Sequence, residues 1–506
     1  MRRPPDAMFK YHAFALNKLS RLAPRYLPFA DVATETVPLS RLLRLSLFQV
    51  TVGMALVLLV GTLNRVMIVE LNVPASLVAL MISLPVLFAP LRALVGYKSD
   101  THHSALGLKR FPYIYRGTLL QFGGFAIMPF ALLVLSGYQE AADAPRWVGL
   151  ASAGLAFLLV GAGLHIVQTV GLALATDLVP EQDHPKVVGL MYVMLLFGMV
   201  LSALVFGLIL ENYTPGRLIQ CIQGVAVLTV LLNGIALWKQ EARVRTPEGH
   251  VPAPSPSFSD AWRDFIAQAQ VMRLLVLIAL GTFAFGMADV VLEPYGGQIL
   301  HLSVADTTRL TATLALGTLL GFGYAARTMS RGTGPWPVAG LGLAAGIPGF
   351  GAIILAAWSD AQVLFVTGVF LTGLGAGLFG HGTLTATLST APRSRTGLAL
   401  GAWGAVQATA AGAGVAFGGV VRDLVRSLQD ADSATPYLAV FSSEILILCA
   451  ALAVILPVIV ARARNSDASR YPVSQGTSEG LLFHSAHPTA GHLRREPKRP
   501  EGRPAQ

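Results

Sequence analysis

Apolar residues in this chain come in long, nearly unbroken runs separated by short polar stretches, and each run predicts a helix that crosses a membrane. About 20 residues, at ~1.5 Å rise each, span a hydrocarbon layer ~30 Å thick. Twelve runs reach that length: 45–64, 74–95, 113–136, 147–176, 187–210 and 217–238, then 272–294, 306–326, 335–358, 361–388, 396–421 and 437–461. The break between the two sets of six carries Glu-Ala-Arg-Val-Arg and then Val-Pro-Ala-Pro-Ser-Pro-Ser, which reads as a stiff polar linker. The pattern therefore predicts an arm at 1–44, a six-helix bundle at 45–238, a linker at 239–271, a second six-helix bundle at 272–461 and a disordered tail at 462–506. Mostly polar residues precede the first run, so no cleavable leader is expected.

Composition agrees with an all-α, polytopic membrane protein. Only 13% of the 506 residues are charged and 54% are apolar, against about 25% charged in soluble domains. That excludes an ordinary soluble enzyme, a disordered chain and a nucleic-acid-binding module. The net charge of +10 reports topology instead: 31 of the 37 Lys and Arg fall in the arm, the linker, the tail and the alternate loops on their side. By the positive-inside rule both termini and the linker face the cytoplasm, in a bacterial inner or intracytoplasmic membrane. Cys221 and Cys449 lie inside apolar runs and offer neither a disulfide framework nor a metal cluster.

The halves repeat each other. Glu70-Leu-Asn-Val-Pro after run one parallels His301-Leu-Ser-Val-Ala after run seven, and Gly163, Leu164, Thr169, Leu174 and Thr176 recur 214 residues later as Gly377, Leu378, Thr383, Leu388 and Thr390. Two parallel sets of six helices is the construction of major facilitator superfamily transporters, whose ligand sites lie between the halves. In the loop after run two, Gly96 and Asp100 with Lys109 and Arg110 downstream resemble a degenerate form of that superfamily's Gly-x-x-x-Asp signature, where the acid caps a helix and pairs with Arg to latch one conformation.

Ionisable side chains inside runs need a reason, since each costs about 2.5–3.5 kcal/mol on insertion scales. Asp289 and Glu293 share a face of run seven, and Glu293 opens Glu-Pro-Tyr-Gly-Gly, where a broken or flexible helix end is expected. Across the repeat stands Arg65, which either pairs with Glu293 in the cavity or meets headgroups at interface depth. His165 and His381 each follow a glycine one turn earlier, Gly161 and Gly377. They read either as hydrogen-bonded packing residues or as axial ligands of a chlorin magnesium, for which a bare helix surface leaves room. Gly-x-x-x-Gly pairs at 317/321, 342/346, 397/401 and 414/418 predict close helix packing. Gly373-Leu-Gly-Ala-Gly-Leu sits mid-run without a preceding strand, so it is no dinucleotide site, and no Walker motif or haem attachment motif occurs. No nucleotide is expected. Aromatic and basic residues around 9–22 suit an interfacial helix, and a short amphipathic helix is expected from Ser259.

Several ordered blocks carry a resemblance. Arg41-Leu-Leu-Arg-Leu-Ser-Leu-Phe-Gln-Val, Gly61 to Glu70, Tyr97 to His103, Lys109-Arg-Phe-Pro-Tyr113, Phe285 to Gly297 and Arg395 to Gln407 together resemble the PucC/LhaA family of purple phototrophic bacteria, with a lean towards its light-harvesting-one branch. The resemblance implies a bacteriochlorophyll-delivery branch of the major facilitator superfamily. It implies a non-enzymatic assembly factor that holds bacteriochlorophyll, and carotenoid as a second pigment. Its partners on that reading are antenna polypeptides, pigment-synthesis enzymes and the lipid bilayer, and no nucleic acid. It assigns no catalytic or metal-binding residue. The alternative is a proton-coupled secondary transporter that uses Asp289 or Glu293 as its protonatable site.

Overall fold

A computed structural model of the chain describes residues 37–85, 95, 99, 108–137, 141, 143–180, 183–241, 263, 267–359, 361–390, 396–428 and 434–470. The expected helix at 9–22, the one from Ser259 apart from Arg263, and the tail past 470 lie outside them, as do Gly96 and Asp100. In hydrocarbon a helix satisfies every main-chain N–H and C=O within one segment, so each apolar run folds as one. In chain order these are α1 (Leu39–Glu70), α2 (Ala75–Ser83), α3 (Phe111–Ser136), α4 (Arg146–Asp177), α5 (His184–Ile209) and α6 (Pro215–Leu237). The second half supplies α7 (Ala269–Gln298), α8 (Val304–Ser330), α9 (Pro335–Ser359), α10 (Gln362–Thr390), α11 (Thr396–Leu428) and α12 (Thr435–Arg470). No strand occurs among the described residues. Among the described residues ten helices are individually long and apolar enough to cross a membrane; the others are α2 and α8, which carries Asp306, Arg309 and Arg327.

Local chemistry sets several ends. Thr214 accepts from the Arg217 N–H and Ser303 from the Asp306 N–H, as N-caps of α6 and α8. Gly137 closes α3 at φ 61°. The turn after the first helix of each half contains one left-handed residue, Asn72 and His301, both at φ 51° and both three residues before the next helix. That places the structural register of the repeat two residues from the sequence match at Glu70 and His301.

Packing in the second half is set by glycine. On α10, Gly368, Gly375 and Gly382 recur every seven residues along α9, opposite Gly349, Gly342 and Ala339. A Cβ on Gly375 would lie 2.6 Å from the Gly342 carbonyl, and one on Gly368 2.7 Å from the Gly349 carbonyl. Only bare backbone permits that approach. Gly373 and Gly377 face α8 in the same way, so the segment with a dinucleotide look is a helix contact. In the first half, Thr51 donates to Asn233 at 2.9 Å and Asn233 to Thr118 at 2.9 Å, fastening α1, α6 and α3. Trp147, Trp238 and Trp358 stand exposed near helix ends, where interfacial anchors belong. The helices pack as one unit through Ile459; the last turns of α12 belong to a second, from Val460.

Candidate functional site

The two halves meet along a polar seam at the end where α1 leads into α2 and α7 into α8. The seam begins with an irregularity in α1, whose Val57–Leu63 and Val66–Glu70 segments are π-helical. With i→i+5 bonding, residues five apart come onto one face, and Arg65 there forms its ion pair with Glu70. Of the two alternatives for Arg65, the pair with Glu293 therefore does not form. The buried guanidinium instead reaches the Leu302 carbonyl at 3.1 Å, lying over Gly297, where a Cβ would sit 3.0 Å from Nε. Glu293, also buried, accepts from the Thr311 hydroxyl and rests against Gly61. Beside the pair, burial and the Glu70 carboxylate hold the Tyr213 phenol above its ordinary range.

The expected break in α7 does not occur either. Pro294 lacks the N–H that would bond to the Val290 carbonyl, but Asn64 of α1 supplies a donor at 3.1 Å, with a second contact to the Asp289 carbonyl at 3.2 Å. The helix continues through the proline to Gln298. Thr62 and Thr308 meet at 3.2 Å close by. Further along, Asp423 of α11 accepts the Ser76 N–H at the start of α2 at 2.6 Å, a carboxylate placed on a helix N-terminus from the other half. Arg422 pairs with Asp423 at 2.8 Å and donates to Gln298 and Tyr437. Ser83 bonds the Gly412 carbonyl at 2.8 Å. The bonds of Asn64, Thr62, Ser76 and Ser83, and that of Arg65 to Leu302, join the first half to the second.

Below the seam, inside the second half, lies a cavity of about 200 Å³. Asp289 lines it with Thr282, Thr318 and Thr372 and the rings of Phe285 and Phe350. Glu444 of α12 is fully buried, and both of its carboxyl oxygens lack a hydrogen-bond partner. Glu444 is not among the residues expected from sequence, although it is a lone acid in the run Phe-Ser-Ser-Glu-Ile-Leu-Ile at 441–447. The insertion-cost rule that flagged Asp289 applies to it equally. Among the described residues no group of His, Cys, Asp and Glu has the arrangement of a metal site.

The two histidines differ. The bare face that Gly161 leaves one turn before His165 is filled by Pro85. Gly377, one turn before His381, is covered by α8. His381 itself is half-buried, its ring edge-on to Phe322 with centroids 4.1 Å apart and its Nδ1 buried without a hydrogen-bond partner. The neighbouring Gly380 faces open space.

Of the expected latch, Gly96 and Asp100 lie outside the described residues. Arg110 donates to Asp177 at the end of α4 at 3.0 Å and to Ser99 at 2.6 Å. Glu241 accepts the N–H groups of Lys109, Arg110 and Phe111 at 2.5, 2.8 and 2.9 Å, so a carboxylate from beyond α6 caps α3. The Glu241 cap was not expected from sequence, where that residue reads as ordinary linker charge.

Residues 62–463 match the family described as PUCC protein. The chain is 62% identical over 457 residues to "Protein PucC" of Rhodobacter capsulatus, covering 89% of this chain and 98% of that protein. It is 57% identical to "Protein PucC" of Cereibacter sphaeroides, over 87% and 96% of the two chains. The lean towards the light-harvesting-one branch gains no support from these names. A more distant relative, 28% identical over 83% of this chain and 96% of its own, is the "Bacteriochlorophyll synthase 44.5 kDa chain" of Rhodobacter capsulatus. Among solved structures, a bacterial homologue of the human lysosomal transporter Spinster superposes with a TM-score of 0.60 at 15% identity, over 82% of this chain and 95% of that one. A D-xylose–proton symporter gives 0.60 at 14%, over 82% and 97%. These likenesses establish the major facilitator fold, and the sequence matches establish that the chain belongs to the PucC family.

Proposed function

We propose that this protein is an assembly factor for bacterial light-harvesting complexes, holding bacteriochlorophyll within the membrane and passing it to antenna polypeptides. The observation that carries the reading is the near end-to-end kinship with PucC. A relative named for bacteriochlorophyll synthesis is consistent with pigment handling. A free chlorin with a prenyl tail is insoluble in water, and a helper embedded in lipid keeps it out of water during transfer. The helper performs no bond chemistry of its own, so it is no enzyme, and carotenoid is its second pigment. Its contacts are antenna polypeptides and pigment-synthesis enzymes, in a photosynthetic membrane with both termini cytoplasmic.

Of the two histidines, His381 suits the pigment better. Its half-buried imidazole stands beside open space at Gly380, whereas Pro85 fills the space beside His165. The His381 imidazole would hold a chlorin there through its magnesium. The test is purification of the full chain in mild detergent from a phototrophic host. Co-purifying chlorin absorption is expected, to be lost in His381→Ala and kept in His165→Ala. A colourless preparation free of antenna polypeptides would overturn the reading.

A further inference from the structure

Asp289 and Glu444 are two carboxyls in an apolar interior, and neither has the partner that buried charge requires. Glu444 sits on the face of α12 that also carries Phe441 and Leu448, three residues before it and four after. Phe441 stacks on Phe350 with centroids 6.4 Å apart. Leu448 meets the same Gly346 position as Phe285, at 3.0 and 2.8 Å from a Cβ built there. Phe350 and Phe285 are walls of the 200 Å³ cavity that Asp289 lines. Glu444 therefore shares a helix face with the residues that back the cavity's aromatic wall, and it is an electrostatic neighbour of Asp289.

Among the described residues the cavity lining offers no cation. From α8 to α11 the lining is threonine, alanine, leucine and phenylalanine, and on α7 the titratable neighbour is Glu293, one turn past Asp289. From α1, Asn64 approaches only the main chain, and Arg65 is committed to Glu70 and Leu302. A buried carboxylate left without a counter-charge takes up a proton or a cation instead. The threonine hydroxyls at 318 and 372 donate to their own helix, to Leu314 and Val369, which leaves their oxygens as acceptors towards the cavity.

We propose that Asp289 and Glu444 form a proton-binding site in the second half, exchanging protons with water that enters the cavity Asp289 lines. The site does not depend on which cargo the protein carries. It is also distinct from Glu293, whose carboxyl is held by Thr311 at the seam.

The test uses the full chain in its membrane and dicyclohexylcarbodiimide, a lipid-soluble reagent that modifies protonated carboxyls. Mass spectrometry is expected to place the label on Asp289 or Glu444, with a yield that falls several-fold as the medium goes from mildly acidic to mildly alkaline. Asp289→Asn and Glu444→Gln, which keep size and polarity, should each lose label at the substituted position. Should either variant fail to fold, the labelling profile of the unaltered protein decides alone. Absence of label at both positions across the pH range overturns the proposal. So does label that is independent of pH but suppressed by sodium, which would make this a metal-cation site.

Discussion

Asn64 donates its side-chain amide to the Val290 carbonyl at 3.1 Å, and Val290 is the residue that Pro294, four positions on, deprives of its helical donor. One half of the protein thus completes the main-chain hydrogen bonding of the other. In hydrocarbon, where no water is at hand to substitute, the proline and the asparagine each account for the other's position.

This relationship predicts a coupled pair of mutants. Asn64→Ala should cost about 1–3 kcal/mol, the penalty for an unsatisfied buried carbonyl. In a Pro294→Ala background the residue at 294 regains its N–H and serves Val290 itself, so the same substitution should cost clearly less. Thermal unfolding of the four proteins in detergent measures the difference. Equal losses in both backgrounds would show that the proline and the asparagine are unrelated.

The Arg65–Glu70 pair has an asymmetric burial that sets a second expectation. The arginine side chain is 5% exposed and the glutamate 38%. Glu70→Ala strands a buried cation and should cost about 3 kcal/mol or more. Adding Arg65→Met removes the stranded charge and should recover part of that loss, though not the bond to Leu302. A double mutant less stable than Glu70→Ala alone would contradict the assignment.

Glycines on α9 and α10 divide into two kinds. Gly375→Val drives a side chain into the Gly342 carbonyl and should cost at least about 3 kcal/mol or prevent folding. Gly351 has nothing within 4 Å of its Cβ position, so Gly351→Ala should be neutral or should gain up to about 1 kcal/mol from helix propensity. Fluorescence-detected size exclusion of the two variants separates the outcomes.

Orientation is testable with single cysteines in a background lacking Cys221 and Cys449. Reporters placed in 1–36 and in 242–262 should share one accessibility to an impermeant maleimide, and reporters at Thr214 and His301 the opposite one. Protection of the first two in spheroplasts and reaction of the second two is the expected result. Arm and linker on opposite faces would refute the twelve-span topology.

The twelve spans were legible because a hydrocarbon layer demands long apolar runs, whatever those runs later pack against. Their ends were less so. The apolar pattern ends run eleven at residue 421, ahead of Arg422 and Asp423, yet α11 continues to Leu428 and buries the arginine among Gln298, Tyr437 and Asp423. An arginine that brings its own partners can lie inside a helix, and those partners are distant in sequence. The Arg65–Glu293 expectation failed for a different reason. It rested on the first and seventh spans facing each other, and nothing in Val-Leu-Leu-Val-Gly-Thr-Leu announces the π-helical segment beside which Arg65 pairs with Glu70 instead. Glu444 was legible and overlooked: a single acid in an apolar run is as informative in the last span as in the seventh.

The seven-residue glycine spacing on α10 also bears on motion. Where two helices are parted by side chains, a change of rotamer lets one slide or tilt against the other. Between α9 and α10 the tightest approaches, at Gly368, Gly375 and Gly382, are to main chain, and a change of rotamer cannot open those points. The two helices behave as a single stave, so any rocking of the barrel must be absorbed elsewhere, at joints built from side chains.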